Sequence, residues 1–486
     1  MSRVLEGLEP ERVFYYFEEI SKIPRCSYDE KKISDYLANL GRQFGLETIQ
    51  DESLNVIIKK PGTKGYENSP TVILQGHMDM VCEKDEGVEH DFTKDPIKLK
   101  VEGDYIKAEG TTLGADNGIA VALALAILES KDIAHPPLEV LVTSSEETGM
   151  DGAKGLDPQN LSGRILINID AEEEGAVLVS CAGGENNKVT IPVEWEALKE
   201  GGKPYLIRTK GLQGGHSGID INKGRGNANK IITRILAFIK DECDIKLARI
   251  EGGSKTNAIP RNAEALIVLK DEDEEAFFQA IEALEEQIKK ELGNGDPDFQ
   301  LEVEKLDEKV ERVLTENSFN KVVAALTLIP TGVNTMSKDI EGLVESSNNM
   351  AIVKMDEDKV IVESALRSSV ESLKRTTAMK IKAVAEIIGG KYERYNEYPA
   401  WEFKEKSKIR DLFKKVYRET FGEELRVEAI HAGLECGLFD EKFGGTLDMI
   451  SFGPNMYNVH SPQEKLSISS TQNTYKLLLN VLKEIK

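Results

Sequence analysis

The amino-acid sequence predicts an α/β fold. A main domain, with a mixed and largely parallel sheet flanked by helices, is interrupted by an inserted α+β domain of two αβ units. Helical and strand patterns alternate in residues 1–184 and again in 391–486, which is typical of a sheet covered by helices. The 486 residues exceed what one ordinary core can hold. Most of the polar residues that could together form one functional site, described below, lie outside residues 185–390. We therefore assign 185–390 to the inserted domain.

The main domain is expected to be built from short apolar strands and helices. In its first part, residues 31–45 are predicted to be helical, and 55–58 and 72–75 to be extended. Further strands are expected at 140–143 and 165–169. After the insertion, the predictions are a strand at 391–396, a helix at 407–419, a strand at 448–452 and a helix at 474–485.

The inserted domain is expected to consist of two αβ units with slight similarity to each other, so an internal repeat stays open. The first unit has predicted strands at 188–193, 205–210, 247–250 and 265–269, and predicted helices at 227–241 and 274–292. The second unit has a predicted helix at 318–328, strands at 350–355 and 360–365, and a helix at 372–388.

Composition and charge exclude several classes of function. Sixty-two basic and 85 acidic residues give a net charge of −23, which argues against binding to DNA, RNA or anionic lipid. The first 25 residues lack the apolar core of a signal peptide, and no apolar run reaches transmembrane length. The five cysteines have no paired spacing, so we expect reduced thiols. These features predict a cytoplasmic protein with no nucleic-acid or membrane partner.

A histidine and an aspartate stand where the buried strand at 72–75 ends. His77 and Asp79 lie at its carboxyl end, where open α/β sheets bind their ligands. Residues two apart in an extended segment face the same way. His77 is therefore a candidate metal ligand, and Asp79 a carboxylate that would accept from its other ring nitrogen and orient it. An ordinary surface pair is the alternative for these two residues alone.

Asp116 lies three residues before an apolar run, 119–128, that predicts a buried helix. A helix N-cap is the ordinary role of an aspartate in this position. A carboxylate held at a helix start is also well placed to bridge two cations. Both interpretations stay open for this residue alone.

Acidic residues also follow two other predicted strands. Glu146 and Glu147 come after 140–143, and Asp170 comes directly after 165–169. Adjacent glutamates usually form a solvated turn. If strand geometry persists, however, they point apart, so one can bind a metal while the other handles protons.

Together these residues predict a two-metal site of carboxylate and imidazole ligands, bridged by Asp116. His460, one of only six histidines, lies in a loop near the C-terminus and completes it. Glu146 remains as general base toward a metal-bridging water. The ligands are His77, Asp116 and Asp170 for one cation, and Asp116, Glu147 and His460 for the other.

Five features occur in a fixed order along the chain: GHMDM at 76–80, GADNG at 114–118, SEETG at 145–149, Asp170 and His460. With them the chain resembles the family of zinc aminopeptidases and dipeptidases that also contains carboxypeptidases and aminoacylases. The resemblance covers essentially the whole chain. It implies the metal ligands and the base assigned above, and a cis peptide bond after Asp116.

Three further segments are most similar to the dipeptidases of that family: SCAGG at 180–184, GGHSG at 214–218 and HAGLECG at 431–437. The resemblance therefore implies hydrolysis of dipeptides, with Xaa-His dipeptides among the substrates. It also implies that the inserted domain is a lid over the substrate. Two zinc ions are the expected cofactors, with Mn²⁺ or Co²⁺ as alternatives.

The resemblance also assigns residues outside the metal site. His216, in a glycine-rich loop, is expected to stabilise the oxyanion of the reaction, although a flexible turn is the alternative. Asn257 is a candidate substrate contact. Arg367 could bind the carboxylate of a dipeptide, or be a solvated charge. His431 and Glu435 could recognise the substrate ends, Glu435 its ammonium group, or belong to an ordinary polar loop.

Other functions stay open at this point. The same metal site would serve a tripeptide aminopeptidase, a carboxypeptidase or an N-acyl amino acid amidohydrolase, since the lid decides the specificity. A non-catalytic binding protein that keeps the fold is an alternative of a different class, for which a broken ligand set would be expected. The expected partner is a small peptide substrate, and a homodimer through the lid domain is a further alternative.

Overall fold

The computed structural model describes residues 3–198, 202–307 and 309–486. The chain divides into two compact units, and the predicted insertion, 185–390, lies within the second. The first unit comprises Met1–Ser180, Phe403–Ala429 and Leu434–Lys486, and the second comprises Cys181–Glu402 and Ile430–Gly433.

Eleven α-helices lie in the described residues, with three short 3₁₀ turns at Pro158–Asn160, Asp271–Asp273 and Gly293–Gly295. The helices are α1 (Glu11–Ile20), α2 (Lys31–Gln43), α3 (Ala115–Glu129), α4 (Asp151–Gly155), α5 (Ala228–Glu242), α6 (Glu274–Leu292), α7 (Glu316–Leu328), α8 (Glu371–Ile387), α9 (Lys408–Phe421), α10 (Glu435–Lys442) and α11 (Ile468–Glu484).

Twenty-five strands lie in the same residues. They are β1 (Glu47–Gln50), β2 (Val56–Lys60), β3 (Val72–His77), β4 (Leu99–Glu102), β5 (Tyr105–Ala108), β6 (Leu138–Thr143), β7 (Ile165–Asn168), β8 (Ala176–Cys181), β9 (Gly183–Pro192), β10 (Trp195–Ala197), β11 (Lys203–Lys210), β12 (Gly215–His216), β13 (Ile245–Gly252), β14 (Ala258–Ile259), β15 (Ala263–Leu269), β16 (Gln300–Lys305), β17 (Arg312–Leu314), β18 (Gly332–Met336), β19 (Val344–Met355), β20 (Lys359–Ser368), β21 (Lys391–Tyr398), β22 (Arg426–Ile430), β23 (Asp448–Ser451), β24 (Met456–Tyr457) and β25 (Lys465–Ser467).

Four of the longer helices begin at a residue whose side chain caps them. Each cap oxygen accepts a hydrogen bond from the backbone N–H three residues later, so a free donor of the first helical turn is satisfied. These caps explain why the helices start where they do. The capping residues are Asn227 for α5, Thr315 for α7, Ser407 for α9 and Ser467 for α11.

The first unit is built on an eight-stranded mixed sheet in the order β1-β2-β6-β3-β7-β23-β8-β22. Its central strands β6, β3, β7 and β23 run parallel, while β2 pairs with β6, and β8 with β23, in antiparallel fashion. Strand β3 is buried along its whole length, and the apolar helix α3 packs against it. The predicted α/β fold with a mixed sheet is confirmed. The parallel centre aligns the carboxyl ends of β3, β6 and β7 at one edge.

The second unit is built on a nine-stranded sheet with the path β16-β11-β15-β13-β19-β20-β9-β21 and with β18 beside β19. Helices α5 to α8 contribute to one apolar core with it, which includes Ile235, Phe277, Phe319 and Ile381. Both predicted αβ units contribute to this single sheet, since β13 and β19 pair at Gly252 and Val353. A continuous sheet joins what the sequence pattern presents as separate units.

Strand β21 lies in the second unit, although its sequence was assigned to the main domain. Residues 391–396 are extended as predicted, but the strand pairs with β9 from Lys391 to Tyr398. The second unit therefore continues to Glu402. A strand's sequence pattern reports its extended backbone and not its pairing partner, which is why the boundary differs from the expected 390.

The prediction of five reduced thiols is wrong for two of the cysteines, because Cys26 and Cys82 form a disulfide. An isolated parallel bridge between Cys26 and Met80 brings the two segments side by side. The pairing spans 56 residues, so sequence spacing could not reveal it. The other three cysteines, Cys181, Cys243 and Cys436, are buried.

Among the described residues, every helix is either too short or too polar to cross a lipid bilayer.

Candidate active site

The carboxyl ends of the parallel strands bring the predicted residues of the first unit together. His77 is the last residue of β3 and pairs with Thr143, the last residue of β6. Gln75 of β3 pairs with Asn168, the last residue of β7, so Asp170 emerges beside them. Because the strands run parallel, the segments that follow them share one edge of the sheet.

Asp116 lies between the two histidines. Its Oδ1 is 3.2 Å from Nε2 of His77, and its Oδ2 is 3.0 Å from Nε2 of His460. Two additional carboxylates approach the same nitrogens: Asp170 Oδ1 lies 3.4 Å from Nε2 of His77, and Glu147 Oε2 lies 3.0 Å from Nε2 of His460. The five side chains thus form two groups that share Asp116.

The carboxylate of Asp116 contacts the two histidines and does not cap helix α3. Helix α3 has no side-chain capping bond at its start, and Asp116 has φ −78° and ψ 106°. The peptide bond between Asp116 and Asn117 is cis, as the resemblance implied. Asn117 ties this segment to the sheet, since its Oδ1 accepts from the backbone N–H of His77 at 3.1 Å and its Nδ2 donates to Ile169 O at 2.7 Å. The carboxylate of Asp116 is therefore available to both histidines.

Glu146 and Glu147 lie in a turn, and the strand geometry considered for them does not persist. Strand β6 ends at Thr143, and Ser145 has a positive φ of 49°. The turn is held by Asp79, whose Oδ1 and Oδ2 accept from the backbone N–H groups of Glu146 and Glu147 at 3.0 and 3.2 Å. Asp79, rather than strand alternation, thus fixes the backbone of both glutamates.

Asp79 also lies next to His77. Its Oδ1 is 3.3 Å from Nδ1 of His77, and its Oδ2 accepts from the Ser27 hydroxyl at 2.8 Å. Burial opposes the charged form of Asp79, but His77, Ser27 and the Glu146 N–H outweigh burial and lower its pKa. The carboxylate is ionised and fully buried, as an orienting partner of His77 requires.

The electrostatics of the site favour cations. Burial opposes charge on His77, but Asp170, Asp116 and Asp79 outweigh it and raise its pKa well above the usual value. Hydrogen bonds to Asp116 and Glu147 raise the pKa of His460 to about 11. The same carboxylates that draw protons onto the two imidazoles would attract divalent cations in their place.

Glu146, like the adjacent Glu147, has a pKa that burial raises. Burial raises its pKa well above the usual value, and the charges of Asp170, Glu147 and Glu435 add to that effect. A carboxyl group that holds a proton this readily is suited to general acid–base chemistry.

The donors present fit a pair of metal ions. The ligand atoms of His77, Asp116 and Asp170 lie within 4.8 Å of one another, as do those of Asp116, Glu147 and His460 and those of His77, Glu146 and Glu147. Asp170 Oδ1 is buried, and apart from its contact with His77 Nε2 at 3.4 Å it has no hydrogen-bond partner in the described part of the chain. A buried carboxylate oxygen without a hydrogen bond is costly unless a cation or water meets it. Imidazole with carboxylate suits zinc, manganese or cobalt.

His216, Asn257, Arg367 and His431 all lie in the second unit. His216 pairs with Ala258 between β12 and β14, which places Asn257 next to its loop, and Asn257 O accepts from the Ser217 N–H at 2.8 Å. A Cβ at Gly218 would lie 3.1 Å from His216 Cε1, 3.2 Å from Arg367 Nε and 2.4 Å from His431 O. The structure therefore brings His216, Arg367 and the His431 backbone together around Gly218.

Glu435 lies in the first unit, at the start of α10, and is fully buried. Its Oε2 accepts from Gln75 Nε2 at 2.6 Å and from Thr143 Oγ1 at 2.7 Å. Gln75 Oε1 in turn accepts from Asn168 Nδ2 at 2.5 Å. A chain of polar side chains thus crosses β6, β3 and β7 beneath the ends that carry the site.

Two buried charged residues that support the site are not among those predicted from the sequence. Arg25 donates to the backbone oxygens of Met78, Asp79 and Gly114, and burial lowers its pKa to about 10. Glu464 accepts from backbone N–H groups just before and at Asp116. The only sequence signal for Glu464 is its position four residues after His460, and Arg25 lies near none of the motifs.

Comparison with known proteins gives consistent matches. The family model described as Peptidase family M20/M25/M40 matches residues 73–484. The cytosol non-specific dipeptidase of Escherichia coli (strain K12) is 37% identical over 481 residues, 99% of this chain and 99% of that protein.

Solved structures extend this likeness to the fold. The crystal structure of aminoacylhistidine dipeptidase from Vibrio alginolyticus matches with a TM-score of 0.93 and 39% identity, and the match covers 100% of this chain and 98% of that one. Aminopeptidase PepT from Bacillus cereus matches with a TM-score of 0.57 and 18% identity over 98% and 99% of the two chains, which is a likeness of fold alone.

Proposed function

Because this chain belongs to peptidase family M20/M25/M40, as its motifs predicted, we propose that it is a two-metal dipeptidase with Xaa-His dipeptides among its substrates. One observation carries the proposal. Two groups of ligand atoms share Asp116, and Glu146 belongs to neither of them. Glu146 is adjacent in the chain to the ligand Glu147, and its carboxylate lies close to His77 and Glu147 in a third group of side chains. The full-length relatives from E. coli and V. alginolyticus, both named as dipeptidases, support the same conclusion.

In this proposal two divalent cations are held at the sheet edge, and they supply Lewis acidity to the scissile carbonyl and lower the pKa of water. We propose zinc, with manganese or cobalt accepted by the same donors. Asp79 orients His77 through Nδ1, which leaves Nε2 for the metal. The ligands are His77, Asp116 and Asp170 for one cation and Asp116, Glu147 and His460 for the other.

Glu146 carries the proton transfers. It removes a proton from the attacking water and then delivers it to the leaving amine. Its backbone is fixed by Asp79, and its side chain is not needed to complete either ligand group. Burial raises the pKa of Glu146, and a raised pKa helps it to hold the proton between the two steps.

His216 is proposed to donate a hydrogen bond to the oxyanion that forms at the scissile carbonyl. Its Nδ1 accepts from the backbone N–H groups of Gly218 and Ile219, both at 3.2 Å. A neutral His216 therefore carries its proton on Nε2, which makes that atom a donor. Burial and the charge of Arg367 lower the pKa of His216, which favours this neutral form.

Substrate recognition is assigned to the second unit. We propose that Arg367 binds the carboxylate of the dipeptide and that Asn257 and His431 contact its backbone and C-terminal residue. Burial and the charge of Arg367 lower the pKa of His431 to about 3, so it is neutral. Glu435 was predicted as a further contact, for the substrate ammonium. Its burial and its bonds to Gln75 and Thr143 favour a supporting role instead.

The other functions considered have less support. The relatives that match at 37% and 39% identity over the full length carry dipeptidase names, whereas the aminopeptidase likeness is one of fold. The ligand groups are complete, which disfavours a non-catalytic binding protein. The E. coli relative is named for the cytosol, and we propose the cytoplasm for this chain as well. A homodimer through the second unit stays a prediction.

A substrate screen tests the proposal. The full chain is loaded separately with Zn²⁺, Mn²⁺ and Co²⁺ and assayed with Xaa-His and Xaa-Gly dipeptides, tripeptides and N-acyl amino acids. The proposal expects dipeptides to give the highest kcat/KM. The Glu146→Gln variant, prepared identically, controls for contaminating peptidases. Faster cleavage of tripeptides or N-acyl substrates, or equal rates in the variant, would overturn it.

A further inference from the structure

Four residues of the second unit stand in one row across its sheet. Ser347 of β19 pairs with Arg367 of β20, Arg367 pairs with Gly184 of β9, and Gly184 pairs with Tyr398 of β21. Residues directly opposite each other on neighbouring strands project from the same face of a sheet. Arg367 and Tyr398 therefore stand on the same face, separated only by the strand that carries Gly184.

The glycine makes room for the tyrosine ring. A Cβ at Gly184 would lie 2.4 Å from Tyr398 Oη and 2.7 Å from its Cε1, closer than any side chain allows. On the other side of the ring, a Cβ at Gly433 would lie 2.8 Å from Tyr398 Cε2. The ring of Tyr398 is thus enclosed by two glycines, and it crosses β9 to reach Arg367.

The tyrosine hydroxyl is the hydrogen-bond partner of the arginine. Nη1 of Arg367 donates to Tyr398 Oη at 2.8 Å. In the described part of the chain Arg367 forms no ion pair, although the protein contains 85 acidic residues, and its buried Nε has no hydrogen-bond partner. Nε faces Gly218 and the His216 loop. A guanidinium held by a neutral hydroxyl keeps its charge available for an anion.

Three polar side chains near Arg367, those of Ser347, Tyr398 and His431, are neutral. Nε2 of His431 and the Ser347 hydroxyl lie 2.7 Å apart and are hydrogen-bonded to each other. Burial raises the pKa of Tyr398, so its hydroxyl keeps its proton. The row thus presents one positive charge, which complements one carboxylate.

We propose that Tyr398 is a positioning residue that fixes the guanidinium of Arg367 for the substrate carboxylate, and that Gly184 is required because only glycine leaves space for the ring. This inference rests on the proposed function, in which Arg367 is the carboxylate receptor. It adds two residues, from segments far apart in the chain, to the determinants of substrate specificity.

The test compares a dipeptide with the same dipeptide as its C-terminal amide, on the zinc-loaded full chain. Tyr398→Phe removes the hydrogen bond to Arg367 and should raise KM for the free dipeptide about tenfold while changing kcat little. KM for the amide, which lacks the carboxylate, should stay the same. Gly184→Ala should act in the same direction, because its Cβ displaces the ring.

Two controls separate positioning from a general structural effect. Tyr395→Phe removes a hydroxyl on the same strand that donates to Glu363, and it should alter neither substrate's KM. Arg367→Met should abolish the preference for the free dipeptide, which has the carboxylate, over its C-terminal amide. If Arg367→Met abolishes that preference and Tyr398→Phe leaves it intact, the positioning role is overturned while the proposed function stands. If neither variant changes the preference, Arg367 is not the receptor and both assignments fall. Equal losses on dipeptide and amide would show a merely structural Tyr398.

Discussion

The carboxylate of Glu464 binds the backbone of Asp116, since its Oε1 accepts from the Asp116 N–H at 3.3 Å. The same carboxylate accepts from the preceding N–H groups of Leu113, Gly114 and Ala115 at 2.7, 2.9 and 2.8 Å. Four successive backbone donors at the start of α3 thus converge on one buried side chain. Because Glu464 follows His460 by four residues, it joins the two loops that carry these proposed ligands.

Substitution of Glu464 should weaken both folding and metal binding. In Glu464→Gln an NH₂ group replaces one acceptor oxygen, so two backbone donors lose their partner, at a cost of about 2–4 kcal/mol in unfolding free energy. Urea unfolding and competitive zinc titration measure the two effects. Gln463→Ala, a neighbour whose Nε2 donates to Asp85 at an exposed site, serves as control. Unchanged stability and zinc affinity in Glu464→Gln would contradict this account.

Glu146 and Glu147 should respond oppositely to substitution. Glu146→Gln should lower kcat by about a hundredfold or more and keep both metals, since a neutral amide cannot take the proton of water. Glu147→Ala should lose one of two bound metals, because it removes a ligand from the group around His460. Metal analysis and turnover assays of both variants measure these two effects. The reverse pattern would mean that the two roles are exchanged.

His216→Ala should separate catalysis from metal binding. Loss of the proposed oxyanion donor should lower kcat about a hundredfold and change KM less. The metal content should stay at two per chain, since His216 belongs to the second unit and to neither ligand group. Full activity in this variant would show that His216 is an ordinary loop residue.

The stability of the metal-free protein should depend on pH through Glu435. Burial raises the pKa of Glu435 to about 8, from 4.5 for a solvated glutamate. The folded state therefore holds this proton more tightly than the unfolded state. The stabilisation that this proton gives to the folded state is complete below about pH 4.5. It declines by about 1.4 kcal/mol of unfolding free energy per pH unit above that, and it is lost as pH passes about 8.

Glu435→Gln cannot titrate, so its unfolding free energy should fall less than that of the wild type between pH 5 and pH 8. Urea unfolding in the presence of a chelator at several pH values measures the difference. Glu441→Gln, an exposed substitution on the same helix α10, should keep the wild-type slope. Equal slopes for the wild type and Glu435→Gln would show that Glu435 is already ionised in the folded protein.

The sheet edge that carries the site could be predicted because the signals for it are local. Buried strands at 72–75, 140–143 and 165–169 are visible as apolar runs, and parallel strands bring the residues after them together. His77 and Asp170 therefore meet as expected. The turn at Glu146 was harder to predict, since its shape depends on the carboxylate of Asp79, 67 residues earlier.

The remaining features depend on contacts between distant segments. The disulfide of Cys26 with Cys82, the position of β21 beside β9 and the four bonds of Glu464 each join parts of the chain that carry no common pattern. The sequence pattern of a strand does not identify the strand with which it pairs. A glutamate that is buried in the folded protein also looks the same in the sequence as an exposed one. These contacts become visible only when the chain is folded.

Reconstitution of the metal-free protein tests most directly whether this dipeptidase needs two metals. The chelated full chain is titrated with Zn²⁺, and hydrolysis of an Xaa-His dipeptide is followed together with bound zinc per chain. We expect no hydrolysis without metal, full activity at two bound zinc ions per chain, and no activity in Glu146→Gln at the same occupancy. Full activity in the metal-free protein, or saturation at one zinc ion per chain, would contradict this expectation.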